Sequence, residues 1–439
     1  MKTTDKIPTG KLKRAGKILK TGLKVGKNYA SYYGEKIVNK KVSKDKLDRN
    51  NASDIMKSLQ ELKGGGLKVA QMLSMEENLL PKAYVEQFSL AQFSVPPLSA
   101  PLVKKTFVKY FGATPDEVYD KFDYKSRFAA SIGQVHEAWK DGVRLAVKIQ
   151  YPGVGTSIQS DLAMLKPLAS RIMNLNLQDA DKYFKEVESK LIEETDYKLE
   201  LKNSIELSAA CEVLPGIKFP TYLPDLSNER IITMEWIEGI HLSEWLKTKR
   251  ATAKQRNIIA QQLWDFYMFQ IHELNKVHAD PHPGNIIITP DEELAIIDFG
   301  CVKEIPKDFY TPYAGLLDPE VVDDDQRYEE LLMELEMLYT DDSEKEKAYF
   351  KNLFTEMLTF AVRPYRSASF DFGDKAFFKE LTDIGERMSK EVLTSEFKPN
   401  RGSKHMIYVN RTMFGLYNLL HNLKGIVNTR MQIPIVEMA

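Results

Sequence analysis

Cysteine is scarce in these 439 residues: only Cys211 and Cys301 occur. Two thiols cannot build a disulfide framework, so core packing must hold the fold, and a reducing compartment suits it. No run of 18 apolar residues is present, so no membrane-spanning helix is expected. The best candidate, residues 413–427, is interrupted by His421, Asn422 and Lys424. The basic N-terminus is not followed by an apolar core and a small-residue cleavage site, so no signal peptide is expected. No internal repeat is visible. At 43% hydrophobic and 28% charged residues the chain reads as globular rather than disordered, with length for one large domain or a few ordinary ones.

The net charge of −1 hides an asymmetry. Residues 1–49 carry 15 Lys/Arg against 4 Asp/Glu, a charge of +11 that leaves −12 on the remainder. A basic arm on an acidic body points to an anionic partner for the arm. Leu12, Ala15, Leu19, Leu23, Gly26, Ala30, Tyr33 and Ile37 recur at three- and four-residue spacing, which predicts a helix over 10–38 with lysines on the rest of its surface. Such a helix lies on an anionic membrane, docks on the body, or is a solvated tail. Aromatic residues do not interleave with the lysines, which argues against nucleic acid.

Further along, a helical region spans 53–78, broken by Gly64-Gly65-Gly66. Pro96, Pro97 and Pro101 mark a boundary before a helix near 101–111. A β hairpin follows, "IGQVHEAW" and "VRLAVKIQ" flanking a turn at Asp141-Gly142. Alternation places Val143, Leu145, Val147 and Ile149 on one face and Arg144, Ala146 and Lys148 on the other. One helix is expected at about 181–205 and a strand at 230–237. From 252 onward the pattern is mostly helical, interrupted by short strands in "NIIIT" and "LAIIDF". The order is helices, a sheet-rich part, then a helix-rich part.

The chemistry concentrates in "VHADPHPGNIII", residues 277–288. His278, Asp280 and His282 alternate, but zinc sites favour histidines three to four apart on a helix or paired cysteines, so a structural metal site is not expected. Phosphate chemistry fits better. Asp280 is followed five residues later by Asn285, then a strand, a turn at Pro290-Asp291, a second strand, and Asp298-Phe299-Gly300. Protein kinases carry this constellation: a catalytic-loop Asp and Asn, then a metal-binding Asp. "DFG" alone is weak; both spacings together are strong. His278 and His282 are expected to bond backbone and stiffen the loop, and Cys301 to be a small buried residue.

The hairpin supplies the rest. "LAVK", Leu145 to Lys148, stands where kinases have V-A-I-K. The small Ala146 leaves room for adenine and Lys148 can reach the α/β-phosphates. Its carboxylate partner must come from "EETDYKLELKN", which offers Glu193, Glu194, Asp196 and Glu200, with Glu193 and Glu200 near one helical face. Glu200 is the chosen partner. Ala129, Ala130 and Ser131 stand where kinases have a Gly-rich phosphate loop; alanine restricts positive φ, so this loop should be stiffer. Glu235 and Ile237, with Trp236 and Glu238, are the hinge candidates for adenine, with Met234 behind; ordinary core packing of that strand explains them equally well.

These departures resemble the UbiB/AarF atypical kinases, the quinone-biosynthesis group. The matching segments are "LKVAQMLS", "AASIGQVHEA", "LAVKIQYPGV", "SDL", "EETDY", "VHADPHPGN" and "IIDFG", with "FGLYNLLHNLKG" near the C-terminus. The resemblance covers roughly residues 55–430. It implies an α+β, protein-kinase-like bilobal fold with an N-terminal helical extension packed over the active site. The expected division is a basic segment at 1–50, the extension at 51–125, an N-lobe at 126–239 and a helical C-lobe at 240–439. The family's K-x-G-Q motif reads Lys68-Val69-Ala70-Gln71 here. Resemblance implies that Lys68 and Gln71 occupy the protein-substrate entry and contact Glu194 and Asp196. Ala70 for Gly, and Phe128 for the first Ala of the loop, depart from the pattern and bear on nucleotide selectivity. The C-terminal membrane spans of some bacterial members are absent, which leaves the basic helix as the route to a membrane. No A-P-E motif follows Gly300, so a protein-substrate platform is not expected.

The implied function is an atypical kinase or ATPase. ATP binds between the lobes, Lys148 on its phosphates, Asn285 and Asp298 on Mg²⁺ (or Mn²⁺), and Asp280 at the acceptor. The acceptor is a small molecule, a lipid-related compound or water, in isoprenoid quinone or membrane lipid metabolism. The expected location is the cytoplasm, peripheral on the inner face of the membrane, with quinone- or lipid-pathway enzymes as partners. The alternative is a non-catalytic nucleotide-binding scaffold for partner enzymes. A small-molecule kinase of the aminoglycoside or choline type shares H-x-D, N and D but not "SIGQVH".

Overall fold

The computed structural model describes residues 11–38, 43–62, 81–89, 97–129, 132–173, 177–318, 320–394 and 401–430. The fold is α+β and divides into two compact units: residues 1–202 with 221–236, and residues 203–220 with 237–439.

The first unit is built on a five-stranded antiparallel sheet. Its path runs β1 (Lys121–Phe122), β3 (Gly133–Lys140), β4 (Val143–Gln150), β6 (Ile231–Glu235), with β2 (Phe128–Ala129) also paired to β3. The β3–β4 hairpin forms because Asp141 and Gly142 both take positive φ, 51° and 76°, the mirror-image turn that matches strand twist. Leu145, Val147 and Ile149 are fully buried, as alternation requires, while Val143 at the turn is exposed.

Around the sheet lie α1 (Lys11–Val38), α2 (Lys44–Leu62), α3 (Lys82–Ser89), α4 (Ala100–Phe111), α5 (Val154–Met173) and α6 (Leu177–Glu194). The single helix expected at 181–205 is two, α6 and α7 (Tyr197–Cys211). Asp196 makes the break: its Oδ1 accepts the Leu199 N–H at 3.1 Å, the bond of a helix N-cap. Glu193 and Glu200 therefore do not share one helix. Helix α1 packs on α2 and α5. Its inward face buries Val25 beside polar contacts: Thr21 bonds Ser58 at 2.5 Å, and Asn28 reaches Asn51 and Asp54 at 2.9 and 3.2 Å. Leu19 and Leu23, from the apolar stripe, are each 69% exposed.

The second unit holds a four-stranded sheet of order β5 (Ile217–Lys218), β10 (Leu294–Ile296), β9 (Ile286–Ile288), β7 (Ile240–His241). A two-stranded ribbon pairs β8 (Lys276–His278) with β11 (Val302–Glu304), and another pairs β12 (Phe370–Asp371) with β13 (Ile426–Val427). Its core helix is α8 (Ala253–His272), capped by Thr252, whose side chain accepts the Gln255 N–H, and it buries Leu263, Trp264, Phe266 and Tyr267. The unit also holds the longer helices α9 (Lys307–Leu316), α10 (Asp325–Glu334), α11 (Glu344–Ala361), α12 (Lys375–Thr394) and α13 (Lys404–Leu423). Helix α11 starts at a capping box of Ser343 and Glu346. Among the described residues no helix is long and apolar enough to cross a membrane.

Candidate active site

In the first unit the structure brings Lys148 and Glu200 together. Lys148 stands on β4 in register with Val135 and Ile232, and its Nζ donates to Glu200 Oε1 at 2.5 Å. The side chains are only 12% and 7% exposed. Tyr197, one turn before Glu200, lies under the ammonium with its ring centroid 5.3 Å from Nζ. Gly133 explains why no side chain is tolerated at that point of the motif: a Cβ there would sit 2.7 Å from the Ile149 carbonyl and 2.9 Å from the Tyr197 hydroxyl. Gln134 and His136 of the same motif are buried fasteners. Gln134 Oε1 accepts the Leu98 N–H at 2.8 Å, its amide meets His136 Nε2 at 2.6 Å, and His136 Nδ1 meets the Asp123 carbonyl at 2.8 Å. Burial pushes the His136 pKa down to about 4, so the ring is neutral at ordinary pH.

Ala146 faces its neighbours Glu137 and Met234 in register and is 9% exposed. Glu235, at the exposed end of β6, accepts from Thr221 Oγ1 at 3.0 Å. Trp236 donates its backbone N–H to the Arg144 carbonyl at 3.0 Å. The Arg144 guanidinium lies 4.5 Å over the Trp236 ring and bonds the buried Glu137 at 2.5 Å, and Phe128 stacks on Trp236 at 6.2 Å. Asp196 is exposed and serves as the α7 cap, while Glu194 ends α6 half-buried. Ala129 lies on β2. Ala130, Ser131, Lys68 and Gln71 lie outside the described residues, as does the stretch 63–80 of the expected extension.

In the second unit the structure brings Asp280 and Asn285 together. Asn285 Nδ2 donates to the Asp280 carbonyl and to Asp280 Oδ2, both at 3.3 Å. The loop closes on itself: His282 N–H to the Asp280 carbonyl at 2.8 Å, Asn285 N–H to the His282 carbonyl at 2.9 Å, and Gly284 N–H to His282 Nδ1 at 3.0 Å. His282 thus fixes backbone. His278 does not: its ring is buried between Tyr267 and Phe299, at 6.5 and 5.4 Å, and Nε2 has no hydrogen-bond partner among the described residues. Burial holds its pKa below the ordinary value, while Asp280 and Asp298 pull it the other way, so both carboxylates act on one ring.

The DFG segment is tied to this loop by backbone. The β8–β11 ribbon pairs His278 with Val302, Ala279 N–H reaches the Cys301 carbonyl at 2.8 Å, and Ile297 N–H reaches the Asn285 carbonyl at 3.1 Å. Asp298 Oδ1 accepts the Gly300 N–H at 2.8 Å. Cys301 is half-buried rather than fully buried. Two supports escaped the sequence reading. Gln270 of α8 is fully buried and accepts the His278 N–H at 2.8 Å. Gly415 of α13 lies against Pro281, whose ring a Cβ at 415 would overlap. Gly415 lies inside "FGLYNLLHNLKG", a signal in the sequence; Gln270 has none.

Among the described residues no three His, Cys, Asp or Glu side chains cluster as a metal cage. Magnesium does not need one, because it takes one or two protein carboxylates and fills its octahedron with water and phosphate oxygens. Asp298 and the amide oxygen of Asn285 are hard oxygen donors on one backbone-linked loop pair, so the residues fit.

The ABC1 atypical kinase-like domain model matches residues 90–332, more than half of the chain. The chain belongs to the ABC1 atypical kinase-like family. This is the UbiB group that the motifs resemble, and the ABC1 fold is kinase-like and α+β. The mitochondrial atypical kinase COQ8 of Saccharomyces cerevisiae is 30% identical over 337 residues, which are 75% of this chain and 66% of that protein. An uncharacterized chloroplastic aarF domain-containing protein kinase of Arabidopsis thaliana is 28% identical over 293 residues, 65% of this chain and 41% of that protein. The chain thus spans less than two thirds of these ABC1 relatives. Among solved structures, Rv3197 of Mycobacterium tuberculosis, in its erythromycin complex, superposes with a TM-score of 0.59 at 26% identity, over 88% of this chain and 95% of that one.

Proposed function

We propose that this ABC1 protein binds Mg-ATP and hydrolyses it or transfers its γ-phosphoryl group to a small-molecule or lipid-related acceptor, in isoprenoid quinone or membrane lipid metabolism. The Lys148–Glu200 pair carries the reading. Desolvating two charges costs several kcal/mol, which their attraction roughly offsets, so stability alone does not account for a buried pair at 2.5 Å. A phosphate-binding lysine held in one rotamer does.

On this reading Lys148 neutralises the α/β-phosphates and Glu200 positions it. Ala129, Ala130 and Ser131 cover the phosphates, Ala146 leaves space for adenine, and Glu235 and Ile237 meet its edge. Asn285 and Asp298 hold Mg²⁺ (or Mn²⁺), which when bound offsets charge on the γ-phosphoryl group. Asp280 orients or deprotonates the acceptor, and the Asn285 amide fixes its carboxylate. Lys68 and Gln71, with Glu194 and Asp196, shield the site. The division at residues 50, 125 and 239 is proposed on the same ground.

Membrane contact is assigned to α1. Thr21, Val25 and Asn28 face inward, and Leu19 and Leu23 project outward beside Lys20, Lys24 and Lys27. That geometry suits an anionic bilayer surface and supports a peripheral position on the inner face of a membrane.

The test is Mg-ATP hydrolysis with and without anionic liposomes, wild type beside Asp298→Asn. Hydrolysis that requires Asp298 and rises with liposomes supports the reading. Full activity in Asp298→Asn sinks it. No hydrolysis, with nucleotide still raising the melting temperature, moves the conclusion to a nucleotide-binding scaffold.

A further inference from the structure

One face of the first unit's sheet carries Lys148, and the pairing registers map it. Lys148 stands opposite Val135 and Ile232, Ala146 opposite Glu137 and Met234, and Arg144 opposite Trp139. Phe128 of β2 pairs with Val135, so its ring belongs to this face too. Trp236 continues the β6 ladder by donating its N–H to the Arg144 carbonyl at 3.0 Å, which sets it beside Arg144 on the same face.

Phe128 and Trp236 thus stand at opposite corners of the patch. Three strand spacings part their backbones, about 14 Å, yet their rings stack at 6.2 Å and 27°. Both side chains must lean inward and meet above the middle of the patch, where the residue pair is Glu137 and Ala146. Both are buried, at 2% and 9% exposure.

The two rings are not held alike. Trp236 is half-buried, with the Arg144 guanidinium 4.5 Å over its ring, and Arg144 bonds the buried Glu137 carboxylate at 2.5 Å. Phe128 is 47% exposed and opens a two-residue strand. Rotation about its χ1 would carry the ring off Trp236 without breaking a strand bond. The floor then uncovered is the Ala146 methyl between Met234 and the Trp236 indole, flat and apolar. Lys148 lies two residues on, about 7 Å along the strand. A nucleobase has the shape for that floor, and phosphates attached to it would extend toward the ammonium.

We propose that Phe128 is a specificity-determining residue that competes with the nucleobase: its ring occupies the place above Ala146 that the base takes, and a nucleotide enters by displacing Phe128 from Trp236. The inference rests on the ATP reading of Lys148. A ligand with phosphates and no base meets no such competition, so Phe128 sets how much the base contributes to binding.

The experiment measures binding of Mg-ATP and of Mg-tripolyphosphate to the full chain by calorimetry, wild type beside Phe128→Ala. Phe128→Ala should bind ATP roughly fivefold more tightly, the worth of one aromatic stack, and tripolyphosphate no differently. Trp236 is one of four tryptophans, and its ¹⁵N indole signal is assigned with Trp236→Phe. That signal should move when Mg-ATP saturates the wild type, and should already be displaced in nucleotide-free Phe128→Ala. Equal ATP affinity in the two proteins overturns the proposal and leaves the ATP reading standing. Weaker ATP binding by Phe128→Ala makes Phe128 a base contact and overturns it as well. So does a gain for tripolyphosphate as large as that for ATP, since the effect would not concern the base. A Trp236 signal unmoved at saturating ATP overturns it from the wild-type spectra, whatever the fold of Phe128→Ala. ATP binding by neither protein overturns the ATP reading and this inference together.

Discussion

Lys148 in the first unit bonds the Glu200 carboxylate at 2.5 Å, and both groups are almost fully buried. Asp280 and Asp298 in the second unit are carried by backbone: the β8–β11 ribbon, the Ile297 bond to the Asn285 carbonyl, and turns closed by their own oxygens on nearby amides. The first arrangement is centred on a buried ion pair whose members depend on each other. The second is a mesh of backbone bonds that sets the loops on which the carboxylates stand. Losing a charge should therefore damage the fold in the first unit and only the chemistry in the second.

The largest expected effect tests that contrast. Lys148→Met strands Glu200 in the interior and should cost about 4 kcal/mol in urea unfolding, whereas Lys148→Met/Glu200→Leu should regain most of it without regaining nucleotide binding. Asp298→Asn should change stability by less than about 1 kcal/mol while hydrolysis falls at least about a thousandfold. Equal losses of stability in the two units would erase the distinction.

Acid should strike next. His136 has its pKa held near 4 in the fold, against about 6.5 in the unfolded chain. The unfolded state binds the proton first, so this contribution is complete above pH 6.5 and is lost as pH falls toward 4, about 3 kcal/mol in all. His278 adds a loss of the same sign from the second unit. Urea midpoints between pH 7 and 4.5 should fall, and His136→Gln should flatten the slope.

The two glycines offer a smaller, sharper comparison. Gly133→Ala should cost about 2 kcal/mol by overpacking and displace Tyr197 from beneath Lys148, weakening ATP binding. Gly415→Ala presses on Pro281 instead and should lower kcat more than it raises KM. Smallest is Gln270→Leu, which leaves the His278 N–H buried without an acceptor, a loss of about 1 kcal/mol visible in thermal melts.

Much of this arrangement is legible in the chain because it is local. Alternation along 143–150, a two-residue turn and fixed spacings between Asp280, Asn285 and Asp298 place strands and loops without help from distant residues. Glu193 and Glu200 read as near one helical face, but the helix break between them is not legible, because Asp196 reads equally well as one more charge on a solvated face. Periodicity in α1 marks an apolar stripe yet cannot say which face meets the body; the answer lies in polar contacts of Thr21 and Asn28 with a later helix. Gln270 is invisible for the same reason. Its value comes from one hydrogen bond to a strand that only the folded unit brings near.

The seating of Pro281 against Gly415 has a consequence for synthesis. A ribosome that has just completed the HADPHPGN loop has still to make the helix on which the loop rests. At ordinary elongation rates of about 5–20 residues per second, that interval is on the order of ten seconds. During it the nascent loop has no backing, so a half-made chain should be unable to spend ATP, and the activity proposed for this protein would begin only with a nearly finished polypeptide.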